Sequence, residues 1–350
     1  MTELVFVARG IPNLLKSAGD IRSYRMLKIL RKKYNVTVIA RSADYGEADV
    51  KGLGCDSYLT GNTQGTLQQV ISQKNPEIII LSHWTIANEM ISYIRSISSA
   101  KIWIDTIDVE FLRLSRKLPF GGIDQNEVDR VKRLELDVYS KADGLIVVSD
   151  QDCELLEENG LNNIIQLPCL FEINNQYQVN AGRNGYIICN WKHEPNILST
   201  VYLCEKIVHK CEMMFYIVGK HPPEKIKEFN SNKIMICGAE YEITKFLMKM
   251  NVLLCPVFYG AGINGKIGES LAFGIPVVTS KLGADPYHIE NRVHALVTES
   301  EEEFISCVGE IFSDEKLRKS LSENGKELMK KYTSEYWQEN FLDLIEVKNG

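Results

Sequence analysis

Between Tyr259 and Thr279 the sequence reads Tyr-Gly-Ala-Gly-Ile-Asn-Gly-Lys-Ile-Gly-Glu-Ser-Leu-Ala-Phe-Gly-Ile-Pro-Val-Val-Thr. Its residue types suit the chemistry of a bound anion. Gly260, Gly262 and Gly265 let the backbone turn tightly and come close to a ligand. Ile263 and Asn264 complete the loop, and the apolar spacing beyond it predicts a helix starting near Lys266. The first turn of such a helix presents backbone amides and the positive end of its dipole, so a diphosphate is a natural guest. Lys266 can neutralise that guest. Glu269 lies about one turn deeper on the same face, where a carboxylate can accept hydrogen bonds from ribose hydroxyls. The plainer reading is a glycine loop that packs a helix on a sheet, with Lys266 and Glu269 as a surface pair.

Two literal motif matches compete and each is incomplete. Gly260-x-Gly262-x-x-Gly265 matches a dinucleotide fingerprint and would make the protein a dehydrogenase. It comes late in the chain, however, and lacks an acidic residue closing the next strand, Asp285 being the nearest. Gly260-x-x-x-x-Gly265-Lys266 matches most of a phosphate-binding loop, but Ile267 stands where the magnesium-holding Ser or Thr belongs. Elsewhere, Asp105 and Asp108 come after an apolar strand and could take a proton from a hydroxyl; an Asp at a strand end can equally be a helix cap. His83 and His193 admit ligand contact or a structural role. The cysteines, nine in number, are widely spaced without a Cys-x-x-Cys pair. This suggests a reducing compartment and buried apolar fillers rather than disulfides or zinc.

These residues require strands and helices to hold them. Short apolar runs at Leu4–Ala8, Val36–Ala40, Ile78–Leu81, Ile102–Ile104 and Gly144–Val148 predict parallel strands buried on both faces, with a helix over Ile21–Lys33. Residues 168–184 are rich in Asn and Gln and read as a linker. A second series comes at Tyr186–Cys189, Met214–Val218, Ile234–Cys237, Val252–Pro256, Val277–Thr279 and Ala295–Val297. Helices over Glu315–Lys331 and Glu335–Val347 end the chain. The fold class is therefore α/β, with two Rossmann-like domains facing a central cleft. The boundaries are 1–170, a linker over 171–184, 185–334, and a C-terminal helix over 335–350 that can return to the first domain.

The chain has 350 residues and a formal net charge of −6. That balance argues against nucleic acid as a partner. No apolar run reaches the ~18 residues of a membrane span, and Met1–Arg9 does not read as a secretory leader, so a cytoplasmic location is expected. Arg22, Arg25, Lys28, Arg31, Lys32 and Lys33 crowd the first helix, and Arg113, Arg116 and Lys117 form a second basic group. Either could meet anionic lipid headgroups at the inner face of a membrane, or simply be solvated.

The segment Tyr259–Thr279 resembles the donor-binding segment of family 4 glycosyltransferases, which have the GT-B fold, in the subset whose loop reads Gly-Ala-Gly. The glycine loop, the Lys, the Glu and the Ala-x-Gly-x-Pro-Val-Val turn stand in the family's order. Asn190-Trp-Lys-His-Glu-Pro-Asn196, Phe215-Tyr-Ile-Val-Gly219 and Gly238-Ala-Glu-Tyr241 resemble further loops and strand ends of its nucleotide pocket. Asp105-Thr-Ile-Asp-Val-Glu-Phe-Leu-Arg113 resembles an N-domain loop. Leu134-Glu-Leu-Asp-Val-Tyr139 through Ser149-Asp150 resembles the helix and strand that come next in that domain. Gly19-Asp20 sits where the family has its first N-domain loop.

The resemblance implies a retaining, metal-independent transferase that binds acceptor in its first domain and nucleotide sugar in its second. The donor is a UDP-sugar or, second, a GDP-sugar. It is a substrate, so no cofactor is expected. The acceptor would be a glycan, a lipid-linked sugar or a glycoprotein in bacterial polysaccharide or glycoconjugate assembly. Donor contacts would come from Gly19, Asn190, Lys192, His193, Gly219, Glu240, Tyr241, Gly260, Gly262, Ile263, Asn264, Lys266 and Glu269, and catalytic groups from Asp105, Asp108 and Glu110. Three features depart from the pattern. Ala261 replaces the first of the family's two glutamates, Glu110 stands where a histidine is common, and the basic residue near Asn190 is missing. A non-catalytic partner subunit of the same fold, or a nucleotide-sugar epimerase, is the alternative.

Overall fold

The computed structural model describes residues 1–14, 18–42, 47–238 and 242–347. The chain divides into two compact units. The first comprises Met1–Leu170, Ala261–Ile263 and Ser334–Gly350, and the second Phe171–Gly260 and Asn264–Thr333.

In the first unit strand and helix alternate: β1 (Thr2–Gly10), α1 (Ala18–Leu30), β2 (Tyr34–Ser42), α2 (Glu47–Gly52), β3 (Asp56–Leu59), α3 (Thr63–Lys74), β4 (Ile78–Ser82), α4 (Trp84–Ile97), β5 (Lys101–Asp105), α5 (Glu110–Lys117), α6 (Gln125–Tyr139), β6 (Gly144–Val147), α7 (Asp150–Glu158) and β7 (Ile164–Gln166). The strands form one parallel sheet in the order β3-β2-β1-β4-β5-β6-β7. Its two faces are covered separately. Val5, Val7, Ile79 and Leu81 pack under α3, α4 and α6, while Leu4, Phe6, Ile78 and Ile80 pack under α1 and the chain's last helix. This two-sided burial is why the strands read as unbroken apolar runs. Trp103 on β5 is fully buried and pairs in register with Gly144 on β6. A Cβ at Gly144 would stand 2.4 Å from the indole ring, so glycine makes room for the largest buried side chain.

The second unit repeats the plan: β8 (Asn184–Ile188), α8 (Glu194–Tyr202), β9 (Met214–Val218), α9 (Glu224–Lys227), β10 (Ile234–Gly238), α10 (Ile243–Leu247), β11 (Val252–Cys255), α11 (Gly265–Phe273), β12 (Val277–Ser280), α12 (Lys281–Ala284), β13 (Leu296–Thr298), α13 (Glu301–Ser313) and α14 (Glu315–Met329). The final helix, α15 (Ser334–Val347), belongs to the first unit. The second sheet is parallel in the order β10-β9-β8-β11-β12-β13. The order therefore reverses between β8 and β11. In open α/β sheets that reversal leaves a crevice at the carboxyl ends of the two flanking strands, where ligands bind. The loops that leave those ends are Cys189–His193 and Pro256–Asn264.

The helix expected over Ile21–Lys33 runs instead from Ala18 to Leu30, and Arg31–Lys33 form a turn. Its basic residues are not a solvent-facing row. Arg22 is 1% exposed. Arg25 donates to the Leu170 carbonyl, and Arg31 to the Leu53 and Tyr34 carbonyls at 3.3 and 2.9 Å. Lys32 bonds Gln338 on α15. The reading of Arg22 as a membrane-facing charge is thus corrected, because most of these cations fasten α1 to its own unit. None of the nine cysteines is in a disulfide, and seven are buried. No described helix is long and apolar enough to cross a membrane.

Candidate functional site

At the switch point of the second unit, β11 delivers the chain into the glycine loop. Ser280 braces the loop's start, donating to the Val257 carbonyl at 2.7 Å and accepting from its amide at 3.0 Å. α11 then begins at Gly265. Its N-cap residue, Asn264, makes no side-chain capping bond, and its carbonyl accepts from the Tyr287 hydroxyl at 3.0 Å. Gly268 lets the helix press against its support. A Cβ there would lie 2.4 Å from the Tyr287 hydroxyl and 2.5 Å from the Phe171 ring. The buried side of α11 is Ile267, Ser270, Leu271 and Phe273, and Glu269 points outward as an exposed residue.

Lys266 is half-buried, and its ammonium donates to Asn196 Oδ1 at 2.6 Å. Asn196 lies in the first turn of α8, and its Nδ2 donates to the Asn190 carbonyl at 2.8 Å. Asn190 in turn accepts from the amide of Lys192 through its side chain, at 3.1 Å, and from the amide of His193 through its carbonyl, also at 3.1 Å. Lys192 and His193 are exposed, His193 as the N-cap of α8. Gly219 follows β9, and its amide donates to the Gly238 carbonyl at 2.6 Å. A Cβ on it would stand 2.4 Å from the Cys189 carbonyl and 2.6 Å from Trp191 Nε1. The structure therefore brings Asn190, Lys192, His193 and Lys266 into one connected group and sets Glu269 one turn along the same helix. Gly262 adopts the left-handed φ of 63° that favours glycine, and among the described residues no atom lies within 4 Å of a Cβ placed on Gly260. Ala261, Gly262 and Ile263 group with the first unit. Glu240 and Tyr241 lie outside the described residues.

In the first unit, the charged residues at the end of β5 and just after it are each met by an arginine. Asp105 is fully buried and ion-paired through Oδ1 with Arg22, whose Nε and Nη2 also donate to the Leu167 carbonyl at 3.1 and 2.7 Å. A carboxylate held this way is a structural charge. The sequence reading has it take a proton from an acceptor hydroxyl; the structure places it fully buried. The backbone then turns through Ile107 at φ 63°, unusual for a β-branched residue. Asp108 accepts from Arg113 Nε at 3.0 Å; Glu110 accepts from Arg113 Nη2 at 3.0 Å and from Trp84 Nε1 at 2.6 Å. Gly19 sits in the first turn of α1, beside Asp20. His83 caps α4, accepting the Thr85 amide at 3.4 Å, and burial holds its pKa below the ordinary imidazole value.

Glu135, on α6, escaped the sequence reading. Val109 cannot cap α5 with its side chain. The fully buried Glu135 does so from a distance, accepting from the amides of Glu110 and Phe111 at 2.9 Å each and from the Tyr139 hydroxyl at 2.7 Å. Burial pushes its pKa up to about 7, against those hydrogen bonds. An N-cap position held by Val rather than by Ser, Thr, Asp or Asn was the available signal that a remote acceptor was needed. Among the described residues no group of three His, Cys, Asp or Glu is placed to hold a metal ion.

Residues 186–314 match the family model described as glycosyl transferases group 1. Over this stretch, most of the second unit, the chain is similar to the group 1 glycosyltransferases. The chain has the GT-B fold of its structural neighbours. It superposes on sucrose-phosphate synthase from Thermosynechococcus elongatus with a TM-score of 0.80 at 14% identity, covering 99% of this chain and 98% of that one. HepE of Anabaena in complex with UDP and glucose gives a TM-score of 0.77 at 12% identity, over 99% and 100% of the two chains. A glycosyltransferase from Rickettsia africae gives 0.71 at 13% identity, over 99% and 98%. At such identities the likeness is one of fold. No curated protein matches the chain in sequence.

Proposed function

We propose that the second unit binds a nucleoside diphosphate sugar, a UDP-sugar before a GDP-sugar, with its diphosphate at the head of α11. The observation that carries this is the half-buried Lys266 at the first turn of a helix whose N-cap side chain makes no capping bond, at the sheet's switch point. Amides of the Gly260–Gly265 loop and of the helix start donate to the phosphates, and Lys266 supplies the counter-charge. Glu269 accepts from the ribose hydroxyls. Asn190, Lys192, His193 and Gly219 line the rest of the nucleotide pocket. HepE, of the same fold, has been solved with UDP and with UDP-glucose, which favours uridine.

The bond between the anomeric carbon and the β-phosphate oxygen breaks, the acceptor hydroxyl oxygen bonds to that carbon, and the electron pair stays on the leaving diphosphate. Lys266 and the helix amides stabilise that charge most as it develops, which is the condition for accelerating the step. No metal ion is required, and the anomeric configuration is retained. The hydroxyl proton passes to a phosphate oxygen of the leaving group. The acceptor is a glycan, a lipid-linked sugar or a glycoprotein glycan, bound by the first unit.

Calorimetric titration of UDP into K266A and E269A tests the reading. Affinity should fall about 10–100-fold in each, the loss of a charge-assisted hydrogen bond, with unfolding unchanged. Affinity equal to that of the unmodified protein in both variants would overturn it.

A further inference from the structure

Asn196 links the two loops that flank the switch point of the second sheet. It sits on α8, after the loop from β8, and touches Lys266, after the loop from β11. Its amide has one self-consistent orientation. Oδ1 faces the Lys266 ammonium at 2.6 Å, and Nδ2 faces the Asn190 carbonyl at 2.8 Å. Rotating the amide by half a turn would set two donors together at one end and two acceptors at the other. The backbone supports this arrangement: the Asn196 amide donates to the His193 carbonyl at 3.0 Å and the His193 amide to the Asn190 carbonyl at 3.1 Å.

The partner's charge is what matters. A carboxylate at this position would also hold the ammonium, but it would neutralise the cation and turn an acceptor towards the Asn190 carbonyl. A neutral amide fixes the long lysine side chain and leaves its positive charge intact for an anion. Holding four rotatable bonds in one geometry before the ligand arrives removes an ordering cost that binding would otherwise carry.

We propose that Asn196 is a positioning residue of the donor site. Its neutral amide presents the Lys266 ammonium to the diphosphate at full charge and couples it to the Asn190–His193 loop. This rests on the donor reading given above.

Calorimetry on the full chain with UDP and UMP separates the two ideas. The unmodified protein should bind UDP at least tenfold more tightly than UMP. In N196D the new carboxylate pairs with Lys266, so the preference for UDP should shrink to about threefold or less while UMP affinity holds. N196A, which frees the lysine without neutralising it, should lose a smaller part of the preference. A general disturbance of the pocket would weaken UMP and UDP alike. Thermal unfolding of each variant confirms that it is folded, and N196A carries the test should N196D fail to fold. If the unmodified protein binds UDP no better than UMP, the donor reading and this inference both fail. If it prefers UDP and both variants keep the full preference, the role of Asn196 alone is overturned.

Discussion

At the end of β5 and just after it, in the first unit, carboxylates are met by arginines: Asp105 by Arg22, Asp108 and Glu110 by Arg113. At the head of α11, in the second unit, the lysine is met by a neutral amide and the glutamate three residues on is exposed. Both places are strand-end loops in parallel sheets, rich in ionisable side chains. They differ in what the ions do. Where an ion is answered by an opposite ion, most of its field is cancelled locally and the pair serves the architecture. Where a cation is held by a dipole, its field remains available to a ligand.

The contrast breaks most visibly at Arg22. R22M leaves Asp105 buried and unpaired, a loss of about 3–5 kcal/mol for the first unit, measured by denaturant unfolding of the full chain. A loss under about 1 kcal/mol would mean that the ion pair is not structural. G219A probes the second unit by sterics. A Cβ held 2.4 Å from a backbone carbonyl has no flexible neighbour to displace. The expected cost is about 1–3 kcal/mol, together with weakened nucleotide binding.

Glu135 sharpens the comparison through pH. Its folded pKa, about 7, lies above the unfolded value of 4.5. The stability it contributes is therefore complete below pH 4.5 and is lost as pH rises to about 7. Asp152, raised by burial to about 6, adds a slope of the same sign. Chemical unfolding at pH 5 and pH 8 should show a decline that is smaller in E135Q by on the order of 1–3 kcal/mol. Equal declines would mean that Glu135 is not the titrating group. The smallest effect belongs to G260A. Among the described residues nothing lies within 4 Å of the added methyl, so stability should change by no more than about 0.5 kcal/mol, read by thermal unfolding.

The α11 segment was legible because its information is local. Glycines, lysine and glutamate stand at fixed spacings, and helix geometry converts spacing into placement. Eleven of the thirteen strands among the described residues could likewise be read from apolar runs. β3 and β7 could not. Asp56–Leu59 carries no buried residue, and Ile164–Gln166 is three residues long. The part that stayed hidden depends on distant partners. Nothing in Asp105's own neighbourhood announces an arginine 83 positions earlier, and Glu135 sits among Lys132, Arg133 and Asp137, which read as a solvated face. Asn196 lay inside a recognised stretch, but its partner is 70 residues away.

A structure of the protein bound to UDP tests the central claim most directly. The β-phosphate should lie within hydrogen-bonding distance of Lys266 Nζ and the first amides of α11, with a ribose hydroxyl on Glu269. A nucleotide seated on any other strand end, or phosphates pointing away from Lys266, would contradict it.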